Sequence, residues 1–368
     1  MDSSWGARSR ARTTAGRTAT QRTATQRTAT RRTATRRAAA AAALLAAGLA
    51  ACGGGAAPIA SSQLQAQYQR VVAIVLPSVV EITGKDSAGS GVVYDKNGDI
   101  VTNAHVLGKA KTVDVLPSTG TSLLPAKVIG LFPPDDLAVI RVERDAGSLK
   151  PAAFSNSADA RIGEIVMAMG NPLGLTDSVT QGIVSATGRT VTAATSPGAA
   201  EAYITSAIQT SAAINPGNSG GALANMAGRV LGIPALTAKD PEAGSAAQGI
   251  GFAIPSDTVM DIAGQLIAHG KVAHSDRASL DIEAQTVASA AGQAAGVLVL
   301  KAIPDGAAAA AGIRNGDVIV TLDGQSTPSL AVLEEDLAEL KPGREVTAEV
   351  KRAGRSHDYQ VKLSSLTG

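Results

Sequence analysis

Between Tyr68 and Ile254, short Val- and Ile-rich runs alternate with Gly, Asn, Asp and Pro turns. The runs "SGVVYDKNGDIVTNAHV", "KTVDVL", "AKVIGL", "LAVIRV", "EIVMAMG", "QGIVSATG" and "GRVLGI" carry this pattern. In the first, Asn97-Gly98 separates two apolar runs, a strong hairpin signal. Many short strands with regular turns predict an antiparallel barrel or sandwich rather than alternating β and α units. Past Pro255 the period changes. In "SDTVMDIAGQLIAHG", apolar residues fall at Val259, Ile262, Ala263, Leu266 and Ile267, which is helical spacing, with Ser256 as its cap and Gly270 as its stop. "KVAHSDRAS" reads as a short linker. From Leu280 a second compact unit follows, with a strand "GVLVL", a helix near Ser329–Leu340 and a strand in "REVTAEVKR".

Composition sharpens this picture at one end. Up to Ala51 the chain has ten arginines, no lysine and one acid, Asp2. Removing these from the total of 33 basic and 31 acidic residues leaves 23 bases against 30 acids. The remainder is mildly acidic and offers no basic patch for nucleic acid. The near-repeat "RTATQRTATQRTATRRTATRR" lacks apolar periodicity and reads as disordered. The run "AAAAAALLAAGLAAC" follows, so a positive stretch, a short apolar run and small residues make an export signal. It ends in Leu49-Ala50-Ala51-Cys52, which resembles a bacterial lipobox. Cys52 is the single cysteine, so no intrachain disulfide is available. A buried free thiol is the bland reading of Cys52, and a lipidated mature N-terminus the sharper one. Residues 1–51 are thus read as leader and signal peptide, and residues 52–65 as a flexible tether.

The chemistry centres on "AINPGNSGGAL". Its Gly, Asn, Pro and Ser would suit an ordinary turn. They would equally suit a nucleophile, Ser219, beside a backbone that a substrate carbonyl approaches closely. A serine hydroxyl needs a positioned base, usually histidine. Of four histidines, His105 alone precedes Ser219 inside the all-β region, at the end of the strand in "IVTNAHVL". "PPDDLAVIRV" supplies Asp136, a carboxylate able to hold the imidazole in one tautomer. The order His, Asp, Ser is that of the chymotrypsin-like double β-barrel. Gly217 and Ser219 would offer their N–H groups to one oxyanion. No His, Cys or carboxylate cluster has metal-ligand spacing, and no cofactor motif occurs.

The motifs "TNAHV", "DDLAVIRV", "AMGNPLGL", "QGIVSATGR", "AINPGNSGGAL" and "GIGFAIP" occur in the order seen in the HtrA (Deg) family of serine proteases, which the chain resembles from Val72 to Leu366. The resemblance implies a mainly β fold: a trypsin-like pair of six-stranded barrels over residues 66–270, a linker over 271–279 and a small α+β PDZ domain over 280–368. It implies His105 as base, Asp136 as orienter, Ser219 as nucleophile, and Gly217 with Ser219 as oxyanion hole. The specificity pocket would be formed by Ala213, Ile214, Ala235, Leu236, Thr237, Gly251, Phe252 and Ala253. With no charge there, a small to medium aliphatic residue before the cut bond fits. In the PDZ domain, "AAGVLVL" would be the edge strand that binds C-terminal peptides, with Gly296, Val297 and Leu298 at the groove. The implied protein is an exported protease for unfolded or misfolded proteins, lipid-anchored on the outer face of the cytoplasmic membrane. Trimers are usual in the family. Three departures stand out: Phe132 where Asp is common, Thr210-Ser211-Ala212-Ala213 where Thr-Asp-Ala-Ala is frequent, and Pro234 in place of Asn. A binding-class alternative is a peptide-binding chaperone or scaffold whose protease site rests in an inactive loop arrangement.

Overall fold

The computed structural model describes residues 57–85, 88–171, 178–193, 202–215, 217–239, 246–289 and 292–368. Six strands close the first barrel: β1 (Val79–Thr83), β2 (Ala88–Val93), β3 (Asp99–Thr102), β4 (Thr112–Pro117), β5 (Leu124–Phe132) and β6 (Leu137–Val142). Their order around the barrel is β1-β2-β3-β6-β5-β4. The β2–β3 hairpin turns where expected. Gly98 takes φ 89°, a conformation glycine adopts freely, and the Asp95 carboxylate accepts from the Asn97 and Asp99 N–H groups.

The second barrel uses β7 (Ile165–Gly170), β8 (Ser178–Ala193), β9 (Ala202–Thr210), β10 (Ala222–Asn225), β11 (Val230–Lys239) and β12 (Ala246–Pro255). Counted from β7, its order is β7-β8-β9-β12-β11-β10, the same connectivity as the first. Each barrel has its own apolar interior, one around Ile82, Ile100 and Ile140, the other around Val184, Ile208 and Leu231. A third cluster fills the seam between them with Val92, Phe132, Leu137, Met169 and Ile233. Each fully buried Val, Ile or Leu contributes about 1.5–3 kcal/mol, so an interior nearly without aromatics still holds.

Helix α1 (Ala57–Val75) starts inside the stretch read as a tether, because its Ala, Gln and Leu residues favour helix. Its Val71 and Val75 are buried in the seam cluster. The short helix α2 (Ala104–Leu107) follows β3. Helix α3 (Ser256–His269) adds Val259, Ile262 and Leu266 to the seam, and Gly270 ends it at φ 71° with its N–H on the Leu266 carbonyl. Ser256 does not cap this helix. Its hydroxyl donates to the Ser155 carbonyl, while Asp257 in the first turn accepts from Ser157 Oγ and the Ala158 N–H.

The smaller domain runs β13 (Ala278–Ser279), β14 (Ile282–Ala288), β15 (Ala294–Ala302), α4 (Ala307–Ala311), β16 (Val318–Leu322), β17 (Gln325–Ser326), α5 (Leu330–Ala338), β18 (Glu345–Arg352), β19 (Arg355–Lys362) and β20 (Ser364–Ser365). Ser329 caps α5, its hydroxyl accepting from the Val332 N–H. The sheet order is β14-β15-β16-β18-β19. This corrects the expected edge: β15, with Gly296, Val297 and Leu298, is paired on both sides, to β14 and β16. Its row of donors and acceptors is already used, and Val297 is fully buried. The free edge beside α5 is β14.

Entry to and exit from this domain lie together. Val272 and Gly368 exchange both backbone hydrogen bonds, the Leu366 N–H donates to the Arg277 carbonyl, and β13 pairs β20. Among the described residues no helix is long and apolar enough to cross a membrane. Cys52 and the leader lie outside the described residues.

Candidate active site

Chain reversal after β5 brings Asp136 to His105. A 3-10 turn, Pro133–Asp135, delivers Asp136 in the left-handed region at φ 51°, which Asp tolerates better than most residues. There the buried Asp136 is gripped at both ends. Its carbonyl accepts from the Ala104 N–H (3.1 Å) and Asn103 Nδ2 (3.1 Å). Its carboxylate accepts from the His105 N–H at Oδ1 (3.0 Å) and sits 2.7 Å from His105 Nδ1 at Oδ2. A carboxylate on Nδ1 assigns the ring proton to that nitrogen and leaves Nε2 free to accept. The Asn103 side chain is spent on this clamp rather than on capping α2.

Ser219 lies on the connection from β9 to β10, tied internally by Asn218. The Asn218 N–H donates to the Asn215 carbonyl (3.1 Å), Nδ2 donates to the Ala213 carbonyl (2.9 Å) and Oδ1 accepts from the Asn215 N–H (3.0 Å). The glycines serve packing as well as access. A Cβ at Gly220 would lie 2.2 Å from the Ser90 carbonyl oxygen, and one at Gly221 would lie 2.1 Å from that of Met169. Gly220 N–H also donates to the Pro234 carbonyl (2.9 Å), and Pro234 sits at a register shift in β11 where its missing N–H is tolerated. The structure therefore joins His105 to Asp136 and seats Ser219 across the seam. Among the described residues Ser219 Oγ has no hydrogen bond to His105, a link that commonly tightens only around substrate.

The expected pocket residues divide. Ile214 and Ala253 pack in the interior of the second barrel, and a Cβ at Gly251 would lie 2.4 Å from Ile214 Cγ1. Phe252 and Ala235 instead pack against the seam cluster. Strand alternation is the reason: Phe252 points opposite to its neighbours Gly251 and Ala253. Ala213 is exposed, and the side chains of Leu236 and Thr237 lie outside those described.

Where the smaller domain meets the barrels, a cavity opens between the start of β14 and α5, lined by Leu280, Ile282, Leu330, Leu333 and Leu337 with the buried Arg277, and closed on the barrel side by Pro133, Pro134 and Tyr203. Arg277 Nη1 donates to the Pro134 carbonyl (2.5 Å) and lies 3.4 Å from Asp135 Oδ1. Burial pushes the Asp135 carboxyl up to about 6, with Arg277 pulling in the opposite direction and losing. Sequence reasoning gave no role to Asp135, Arg277 or Ser90. The signal for Ser90 was its flanking glycines, since glycine inside a strand marks close backbone approach.

The trypsin-like peptidase domain family matches residues 89–233, and the PDZ domain family matches residues 272–363. The Do-like serine protease HtrA of Lactobacillus helveticus is 38% identical over 290 residues, covering 75% of this chain and 68% of that protein. The chain belongs to the HtrA family of serine endoproteases. A second HtrA-family relative, the periplasmic serine endoprotease DegP of Escherichia coli K12, is 37% identical over 280 residues. That match covers 75% of this chain and 56% of DegP. The crystal structure of the serine endoprotease from Yersinia pestis superposes with a TM-score of 0.54 at 33% identity, covering 81% of this chain and 98% of that one. The double barrel and following PDZ domain are thus the architecture of HtrA proteases.

Proposed function

We propose that this HtrA-family chain is an exported serine endoprotease in which His105, Asp136 and Ser219 form the catalytic triad. The observation that carries this reading is the double grip of the Asp136 carboxylate on His105, at the backbone N–H and at Nδ1. Nε2 removes the Ser219 proton as Oγ attacks the scissile carbonyl, and the N–H groups of Gly217 and Ser219 receive the oxyanion. Protonated His105 then gives its proton to the leaving amine, and water hydrolyses the acyl-enzyme by the same steps in reverse.

Unfolded or misfolded proteins are the proposed substrates, cut after a small to medium aliphatic residue, with the uncharged surroundings of Ile214 and Gly251 supporting that preference. C-terminal peptides would add a strand to the free edge of β14 against α5. Assembly as a homotrimer follows the family habit. Casein degradation by the purified chain, with labelling of Ser219 by a fluorophosphonate, tests the enzyme. Ser219→Ala is expected to cut hydrolysis by roughly 10⁴–10⁶-fold with the fold intact. Undiminished cleavage by that variant would discard the mechanism.

The Arg-rich leader, Ala-rich run and Cys52 support lipid anchoring at the outer face of the cytoplasmic membrane. Two or more acyl chains anchor stably where one does not. Mass spectrometry should therefore find diacylglyceryl-modified Cys52 at the mature N-terminus, and an unmodified cysteine in the membrane fraction would remove the anchor.

A further inference from the structure

Ser90 belongs to β2 of the first barrel and is fully buried, yet most of its polar contacts reach into the second barrel. Its N–H donates to the Ser219 carbonyl (3.0 Å). Its Oγ donates to the Gly217 carbonyl (2.5 Å) and accepts from the Asn171 N–H (2.9 Å). Its own carbonyl accepts from Thr102 Oγ1 (2.6 Å), three residues before His105. One residue thus holds the carbonyls of both residues to which the proposed mechanism assigns the oxyanion hole.

This arrangement matters because Gly217 sits at φ 121°, where its backbone has little steric restraint of its own. Its N–H and its carbonyl are separated by only two soft dihedrals. The peptide after Gly217 is pinned at its carbonyl by Ser90 Oγ and at its N–H by the Asn215 carbonyl. Without the hydroxyl, only the Asn218 N–H pin remains, and the glycine turns more easily. The hydroxyl also has no other described partner to satisfy than these two backbone groups, in a site closed to water.

We infer that Ser90 is a positioning residue that keeps the oxyanion hole formed, acting through the backbone of Gly217 and touching neither substrate nor reacting atoms. The inference rests on the proposed roles of Gly217 and Ser219. Removing a hole donor outright costs about 10²–10³-fold in kcat, and loosening its mount should cost less, about 10–100-fold. The loss falls on the transition state, so KM and the binding of a carboxylate product peptide stay nearly constant.

The test compares the full chain with Ser90→Ala and Ser90→Thr on a peptide anilide with Val before the cut bond. Binding of the matching peptide aldehyde, whose adduct with Ser219 carries an oxyanion, is measured alongside binding of the product peptide. For Ser90→Ala, aldehyde affinity should fall by the same factor as kcat/KM while product binding holds. Ser90→Thr, which keeps the hydroxyl, should recover most of kcat. If the extra methyl prevents folding, the aldehyde-to-product ratio of Ser90→Ala decides alone. Unchanged kcat in Ser90→Ala, or equal loss of aldehyde and product binding, overturns the role of Ser90 while fluorophosphonate labelling of wild-type Ser219 leaves the mechanism standing. A wild-type chain unlabelled at Ser219, with Ser219→Ala fully active, overturns both.

Discussion

The two barrels share one strand order but prepare their parts of the site differently. The first holds His105 and Asp136 entirely with its own atoms, through four contacts between the β3 end and the β5–β6 turn. The second presents Ser219 on a glycine-rich loop whose shape depends partly on the first barrel, through Ser90. His105 and Asp136 are therefore fixed locally, whereas the Ser219 loop is correct only when the seam is correct. Damage to the His105–Asp136 grip should change proton chemistry, and damage to the seam contacts, Ser90 included, should change loop geometry.

The largest effect expected from this contrast is on Asp136→Asn. The amide oxygen still accepts from the His105 N–H, so geometry and thermal stability should hold. Its amino group faces Nδ1 and imposes the wrong tautomer, which should lower kcat about 10⁴-fold. A decrease below tenfold would show that the grip on His105 is not catalytic.

Next comes Gly220→Ala. The residue has φ 80°, and the added Cβ would meet the Ser90 carbonyl, a backbone atom that cannot swing aside. A shift of about 1 Å in Ser219, the proposed nucleophile, should cost about 10²-fold in kcat/KM. Gly188→Ala, at φ 73° with open space around it in the same barrel, shares the backbone strain without the seam contact. It should lose stability by about 1 kcal/mol and keep its activity. Equal activity losses in the two variants would erase the distinction between loop and seam.

The smallest effect concerns Asp135, the chain neighbour of Asp136. Its folded value, raised by burial to about 6, lies above the ordinary 3.8. Between these values the folded chain holds more protons than the unfolded chain, so this group's contribution to stability falls as pH rises from about 4 to about 6. Each unit is worth about 1.4 kcal/mol at most, reduced by any relaxation around the charge. Asp135→Asn should flatten that part of the stability–pH profile, measured by thermal unfolding, and an unchanged slope would assign it elsewhere.

Local pattern made the strands, the Asn97–Gly98 hairpin and the α3 helix legible, because each is set by residues close in sequence. The order of His105, Asp136 and Ser219 was legible for a different reason: each stands in its own motif. What depended on distant pairing was not. "AAGVLVL" looks the same as an edge or an inner strand, and only β16 on its far side makes it inner. Phe252 was placed in the pocket although its strand neighbours face the other way. Ser90 was overlooked because its partners, Gly217 and Asn171, are 127 and 81 residues away.

The paired strands that enter and leave the PDZ domain have a mechanical consequence. A single flexible connector would let that domain sample a wide volume. Here residues 272–279 run alongside residues 364–368, hydrogen-bonded along much of their length. Such a double strap bends as a hinge instead of swinging freely. If the proposed peptide binding at the β14 edge holds, a captured chain would be offered to the protease from a narrow range of directions, and its effective concentration at Ser219 would be set by where along the chain the cleavable bond lies.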